Sequence, residues 1–215
     1  MKTIAIISQK GGAGKTTLAV HLAVAAERAG HPAAVVDLDA QASATGWGDS
    51  RKADAPAVVS AQASRLEKVL VAAQSAGASV AIIDTAPHSE SSALSAARAS
   101  ELILIPCRPA ILDLRAISQS VDLAKLAGVS AAVVINAVPP RSHLGREAAA
   151  AVSAYGLPVS PVQLCSRAAY MHALVDGLTA GEYEPGGKAA EEVERLWQWL
   201  SAQMGLAAGL RGVAV

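Results

Sequence analysis

The feature that most restricts the fold of this chain is a glycine-rich segment directly after its first apolar run. Positions 4–7 read Ile-Ala-Ile-Ile, and positions 9–17 read Gln-Lys-Gly-Gly-Ala-Gly-Lys-Thr-Thr. A buried strand that leads into a glycine-rich turn and then into Gly-Lys-Thr is the order of a phosphate-binding loop. The segment therefore predicts a strand, a loop around a polyphosphate and a helix that begins where the loop ends.

Each residue type in this loop has a physical role toward a nucleotide. Glycine has no Cβ, so the backbone can take positive φ and bring its N–H groups close to a phosphate. Lys15 supplies charge to the terminal phosphates, and the Thr16 hydroxyl is the expected Mg²⁺ ligand. The predicted nucleotide-binding residues are Gly11, Gly12, Ala13, Gly14, Lys15, Thr16 and Thr17.

Lys10 departs from the ordinary form of the loop. The ordinary pattern has a glycine five residues before Gly14, whereas this chain has Gln9 there, followed by Lys10. A lysine beside a polyphosphate either binds phosphate in its own site or is donated to the site of another subunit. The residues alone leave both possibilities open.

Composition describes a globular protein of one domain. The 215 residues are 52% hydrophobic and 17% charged, with 18 basic and 18 acidic side chains, so strong overall attraction to nucleic acid is not expected. Cys107 and Cys165 match no metal or redox spacing, which favours free thiols in a reducing compartment. The N-terminal apolar run is too short for a signal peptide, and no stretch reaches the roughly 18 residues of a membrane span. We expect one domain over residues 1–204 and a poorly ordered tail over 205–215.

Short apolar runs alternate with longer amphipathic segments, which predicts an α/β fold. The expected form is a doubly wound, mostly parallel sheet of about seven strands with helices on both faces. The predicted strands are 3–8, 33–37, 57–61, 80–84, 102–106 and 131–136, with a short seventh near 157–159. The predicted helices are 15–29, 64–76, 89–99, 111–127, 144–155, 167–176 and 188–204. Residues 47–52 are interpreted as a surface loop.

Three aspartates fall at the ends of predicted strands, where open parallel sheets bind their ligands. Asp37 and Asp39 end the second strand and lie on one face of an extended chain. Asp84 follows four apolar residues at the end of the fourth strand, the usual position of the carboxylate on the Mg²⁺ side. We expect Asp37 and Asp84 to hold the metal, directly or through water, and Asp39 to orient the attacking water.

Asn136 ends the sixth predicted strand at the same edge. Its amide either recognises an adenine ring or caps the turn before the Pro-Pro pair at 139–140. These two readings are left open, and Asn136 is counted among the candidate nucleotide-binding residues.

The motifs together resemble the ParA/MinD family of P-loop ATPases, in its small ParF-like form. Positions 10–17 match the family's deviant Walker A pattern, Lys-Gly-Gly-x-Gly-Lys-Thr-Thr, in full. The Asp-x-Asp-Pro-Gln segment appears at 37–41 with Ala40 in place of proline. The segments 84–87, 106–114 and 167–177 resemble later family motifs, so the similarity covers nearly the whole chain.

The resemblance implies an ATP-dependent cycle with Mg²⁺. ATP would join two copies of the chain in a sandwich in which Lys10 reaches the partner's phosphates, making Lys10, Lys15 and Asp39 the catalytic set. The dimer would bind DNA without sequence preference, and a ParB-like or centromere-binding adaptor would stimulate slow hydrolysis and segregate plasmid or chromosomal DNA. The implied location is cytoplasmic and nucleoid-associated in the ATP state. Candidate DNA contacts are Arg141, Arg146, Arg167, Lys188 and Arg195.

Three other functions stay open at this point. One is a MinD-like membrane cycle, although the tail at 206–215, with one arginine and two glycines, is a poor interfacial helix, so no stable membrane association is expected. Another is the positioning of carboxysomes or other protein clusters by the same kind of ATPase. A third is an iron–sulfur relative, in which a cysteine directly after the Asp84 segment would have to match Cys107, and the chain has none there.

Overall fold

A parallel β-sheet forms the centre of the protein. The computed structural model describes residues 1–206, and these contain six strands in the order β3-β2-β4-β1-β5-β6. The strands are β1 (Lys2–Ile6), β2 (Ala33–Asp37), β3 (Ala57–Ser60), β4 (Val80–Asp84), β5 (Leu102–Cys107) and β6 (Ala131–Ile135). Every pairing is parallel, so all carboxyl ends meet at one edge of the sheet.

Helices cover both faces of this sheet, as the alternating apolar pattern predicts. They are α1 (Lys15–Arg28), α2 (Ser43–Ser50), α3 (Leu66–Ser75), α4 (Glu90–Arg98), α5 (Ile111–Ala127), α6 (Leu144–Ser153), α7 (Ala168–Val175), α8 (Ala180–Tyr183) and α9 (Lys188–Gln203). One core layer packs α1, α2 and α9 against the sheet, and the other packs α3 to α6 against the opposite face. The doubly wound α/β fold is thus confirmed.

Two details differ from the sequence-based expectation. The seventh strand does not form among the described residues, because Val159 makes only a single parallel bridge to Val133. The predicted surface loop at 47–52 was wrong for its first four residues, which belong to α2. Trp47 is buried there and donates its indole N–H to the Leu178 carbonyl at 3.1 Å. Tertiary burial of Trp47 therefore overrides the poor helix propensity of Gly46 and Gly48.

The two ends of the chain are described to different extents. The first strand begins at Lys2, whereas the last nine residues of the expected tail, 207–215, lie outside the described residues. No helix in the part that is described is long and apolar enough to cross a membrane.

Candidate functional site

The phosphate-binding loop lies between β1 and α1 at the carboxyl edge of the sheet. Gly12 and Gly14 take φ values of 71° and 93°, the left-handed conformation that favours glycine. Gly11 and Gly12 are exposed at the tip of the loop, while Ala13 is buried beneath it. The loop therefore has the backbone freedom and the open face that a bound phosphate requires.

Asn136, directly after β6, holds the phosphate-binding loop through its side-chain amide. Its amide nitrogen donates to the Ala13 carbonyl at 2.8 Å, and its amide oxygen accepts from the Ala137 N–H at 2.9 Å. A Cβ on Gly14 would lie only 2.3 Å from that amide nitrogen. Both ends of the Asn136 amide thus support the loop and the following turn, and adenine recognition stays a prediction.

Thr16 and Asp84 form the centre of the expected metal site. The Thr16 hydroxyl donates to Asp84 Oδ2 at 2.6 Å. The second oxygen, Oδ1, is buried and has no hydrogen-bond partner among the described residues. Burial raises the pKa of Asp84 from 3.8 to about 7, and the Thr16 hydrogen bond opposes this shift. A hydroxyl beside a carboxylate with an unpaired oxygen is a donor set that fits Mg²⁺.

Lys15 is the buried cation of the site. Its ammonium group reaches back across the loop to the Lys10 carbonyl at 3.4 Å, and only 6% of the residue is exposed. Burial lowers its pKa, whereas the negative charges of Asp84 and Asp39 raise it. An ammonium group with little water around it is strongly stabilised by a nearby anion, so Lys15 is suited to bind phosphate.

Asp37 is fully buried and bonded by protein donors. Its Oδ1 accepts from the Asp39 N–H at 3.0 Å, and its Oδ2 accepts from the Thr45 N–H at 3.0 Å and the Thr45 hydroxyl at 3.1 Å. These bonds tie the end of β2 to the first turn of α2. Metal binding by Asp37 stays a prediction, and what the geometry shows is that it organises the turn that carries Asp39.

Asp39 lies half-buried above Asp37 in a closed turn. Its Oδ1 accepts from the Gln41 N–H at 2.9 Å, and its carbonyl accepts from the Ala42 N–H at 2.8 Å. Ala42 takes a φ of 52° to complete the turn. The replacement of proline by Ala40 therefore leaves the turn hydrogen-bonded, and Asp39 faces the same edge as the loop.

Lys10 lies at the rim of the site. Its ammonium group is 3.8 Å from Asp113 Oδ2, and about a third of its side chain is exposed (33%). Asp113, in the first turn of α5, also accepts from Arg108 Nε at 2.8 Å and Nη2 at 3.3 Å. Two cations therefore share one buried carboxylate beside the phosphate-binding loop.

A second set of contacts ties the site to the segment at 177–182. His21 on α1 accepts the Ala180 N–H through Nε2 at 2.9 Å, while its Nδ1 is 2.7 Å from the Thr17 carbonyl. Arg51, at the end of α2, forms a two-pronged ion pair with Glu182. Burial lowers the pKa of His21 to about 4, so this histidine is neutral and acts as a structural link.

The predicted DNA contacts differ in how accessible they are. Arg141, Arg146, Lys188 and Arg195 are exposed, whereas Arg167 is half-buried in an ion pair with Glu192. Arg141 lies in the connection from β6 to α6, and Arg146 lies in the first turn of α6. Both cysteines are free thiols, as predicted, and burial raises the pKa of Cys107 to about 11.

Three residues important to this arrangement escaped the sequence analysis. Thr45 lies in a segment that was not predicted to be helical, so its contact with Asp37 had no signal. Arg108 and Asp113 belong to a segment that the resemblance covers, but nothing in it indicated that they pair. A carboxylate in an apolar helix start, five residues after an arginine, was the one available clue.

Comparison with known proteins places this geometry in a family. A model described as the CobQ/CobB/MinD/ParA nucleotide-binding domain matches residues 4–179. The chain belongs to this family. It is an ATPase of the ParA/MinD type, as the loop motif indicated.

Individual relatives are consistent with this assignment. The chain is 34% identical to the maintenance of carboxysome distribution protein A of Gloeobacter kilaueensis, over 90% of this chain and 89% of that protein. It is 29% identical to protein ParA of Rhizobium radiobacter, over 79% and 81%. Its fold is similar to the septum site-determining protein MinD of Pyrococcus horikoshii, complexed with Mg-ADP, with a TM-score of 0.76 at 20% identity over 95% and 98% of the two chains.

Proposed function

We propose that this chain is an ATP-driven positioning protein whose ATP-bound dimer binds DNA without sequence preference. The observation that carries the proposal is the loop at 10–17, with buried Lys15 inside it and Lys10 on its rim. Two facing triphosphates repel each other, and a cation supplied by each copy offsets that repulsion in a site with little water. ADP lacks the γ-phosphate, so hydrolysis would loosen the pair.

The residues of the site divide the work of hydrolysis. Thr16 and Asp84 would hold Mg²⁺, which neutralises charge on the phosphates when it is bound. Lys15 would bind the terminal phosphates, and Asp39 would orient the attacking water from the closed turn above Asp37. The basal rate should be slow, because a partner protein is expected to complete this geometry.

The cargo that we propose for this ATPase is either a DNA molecule or a protein compartment. Segregation of plasmid or chromosomal DNA with a ParB-like or centromere-binding adaptor follows from the similarity to protein ParA. The relative in Gloeobacter is a carboxysome distribution protein, which favours a protein compartment as the second candidate. Both candidates require the same ATP-dependent attachment to DNA, so that attachment is the step to test first.

Retention on non-specific DNA, measured with ATP, with ADP and without nucleotide, tests the proposal. We expect retention with ATP only, and a steep loss of affinity as salt rises from about 50 to 200 mM, because phosphate contacts release counterions. Replacing Arg141 and Arg146 together by alanine should weaken retention. Replacing Lys52 and Lys68 together by alanine removes the same number of exposed positive charges elsewhere on the chain and is the matched control. Equal retention with ATP and ADP would refute the nucleotide switch.

A further inference from the structure

Arg108 is held in a fixed orientation beside the phosphate-binding loop. Its Nε and Nη2 donate to the two oxygens of Asp113 at 2.8 and 3.3 Å. A two-pronged pair of this kind fixes the plane of the guanidinium group as well as its position. Asp113 itself is 5% exposed, so the anchor is part of the packed start of α5.

The fixed plane directs the third guanidinium nitrogen toward the loop. Arg108 Nη1 lies 3.8 Å from the point where a Cβ on Gly12 would be. Among the described residues, Nη1 has no hydrogen-bond acceptor, and the side chain is 36% exposed. A charged donor that no protein acceptor within residues 1–206 occupies therefore lies next to the open tip of the loop.

The charges at this rim do not balance. Arg108 and Lys10 both lie against Asp113, and their distances to it are 2.8 Å and 3.8 Å. One carboxylate thus faces two cations, which leaves one positive charge in excess at the exposed tip. Both cations are about a third exposed, so water solvates the excess charge until an anion arrives to pair with it. The shorter and two-pronged contact belongs to Arg108, so Arg108 is the more firmly held of the two cations.

We propose that Arg108 is a second phosphate-binding cation at the dimer interface, held in position by Asp113 and directed at the nucleotide of a second copy of this chain. This inference rests on the proposed function. Arg108 lies where a side chain on Gly12 would project, beside the loop rather than within it. It is therefore placed to meet the phosphates of a nucleotide held by the second copy. Lys10 would then extend toward the same triphosphate from its looser contact.

The test compares dimer formation with nucleotide binding by single chains. Both are measured in the Asp39→Ala background, which is expected to hydrolyse ATP slowly, by analytical ultracentrifugation and by titration with ATP and ADP. Arg108→Ala should weaken the ATP-dependent dimer by about tenfold or more, equivalent to about 1.4 kcal/mol. Binding of ATP and ADP to the single chain should stay within about threefold.

Matched variants separate a local role from a structural one. Arg115→Ala removes the same charge from the exposed surface of α5, the helix that carries Asp113, and should leave dimer formation unchanged. Arg108→Gln keeps a donor for Asp113 without the charge, and it replaces Arg108→Ala if that variant does not fold. Loss of dimer formation in Arg108→Gln supports the proposal.

Two results would overturn the inference. Dimer formation by Arg108→Ala equal to that of its parent would show that Arg108 meets no phosphate. Equal weakening of ATP and ADP binding to the single chain would make Arg108 a ligand of its own loop. If the parent itself fails to dimerise with ATP, the proposed function fails instead, so the two failures can be told apart.

Discussion

The carboxyl ends of β2 and β4 carry the same residue type in very different surroundings. Asp37 and Asp84 stand opposite each other in the register of neighbouring strands, and both are fully buried. Asp37 accepts three hydrogen bonds from Asp39 and Thr45. Asp84 accepts one from Thr16, and its other oxygen has no partner within residues 1–206. Protein donors thus bond both oxygens of Asp37 but only one oxygen of Asp84.

The difference follows from where the chain goes after each strand. After β2 it turns back through Asp39 and into α2, which brings Thr45 to Asp37. After β4 the chain does not turn back to Asp84. The Thr85 hydroxyl donates to the Ile6 carbonyl at 2.8 Å rather than to Asp84 Oδ1. An unpartnered buried oxygen costs folding free energy. Its retention at Asp84 indicates a ligand site, whereas Asp37 is explained by the turn it holds.

The largest effect that would sharpen this comparison is on catalysis. Asp84→Asn keeps the shape of the side chain but removes the charge that fits Mg²⁺. We expect ATP hydrolysis to fall by about 10³-fold, because metal-ion stabilisation of phosphoryl transfer is worth several kcal/mol. Phosphate release measures the rate, and Asp122→Asn, on the exposed surface of α5, is the control. Hydrolysis within about threefold of the parent would remove Asp84 from the metal site.

The next effect is on the pH dependence of stability without nucleotide. Because burial raises the pKa of Asp84 to about 7, its contribution is fully present below pH 4 and is lost as pH rises through 7. The unfolding free energy of the parent, relative to Asp84→Asn, should fall by about 2 kcal/mol between pH 5 and 7. Urea unfolding at both pH values measures it. The opposite dependence of His21 cancels in this difference, and a pH-independent difference would contradict the account.

A comparable loss is expected at the other strand end. Asp37→Ala removes the acceptor of three hydrogen bonds and leaves buried donors unpaired, so it should destabilise the protein by about 2 to 3 kcal/mol. Urea unfolding checks this, with exposed Asp49→Ala as the surface control. If Asp37→Ala unfolds at the parental urea concentration, the turn does not depend on this carboxylate.

The smallest effect concerns one bond of the same set. Thr45→Val removes the hydroxyl that contacts Asp37 but keeps the backbone N–H, so we expect a loss of about 1 kcal/mol. Thermal unfolding resolves a change of that size. A loss as large as that of Asp37→Ala would mean that Thr45 contributes mainly through packing.

The sequence predicted the parts of this molecule that local pattern determines. The parallel sheet follows from short apolar runs, and α5 begins and ends at the predicted residues because Ile111 follows a loop and Gly128 takes a φ of 68° at its end. The family resemblance likewise depended on a contiguous loop motif. These features need no knowledge of distant contacts.

Long-range contacts account for what the sequence analysis missed. Helix α2 forms around two glycines because Trp47 reaches Leu178, 131 residues away, and Arg51 reaches Glu182. The single bridge at Val159 shows the reverse case, in which a short apolar run does not extend into a strand. The pairing of Arg108 with Asp113 depends on side-chain direction, which spacing alone does not give.

The most direct test of the account is the molar mass of the protein with ATP and with ADP, by light scattering after size exclusion. In the Asp39→Ala background, we predict a dimer with ATP and a monomer with ADP. Adding Lys10→Ala should keep the protein monomeric with ATP, although ATP still binds. A Lys10→Ala protein that dimerises as well as its parent, or a parent that stays monomeric with ATP, would contradict the central claim that ATP pairs two copies through Lys10.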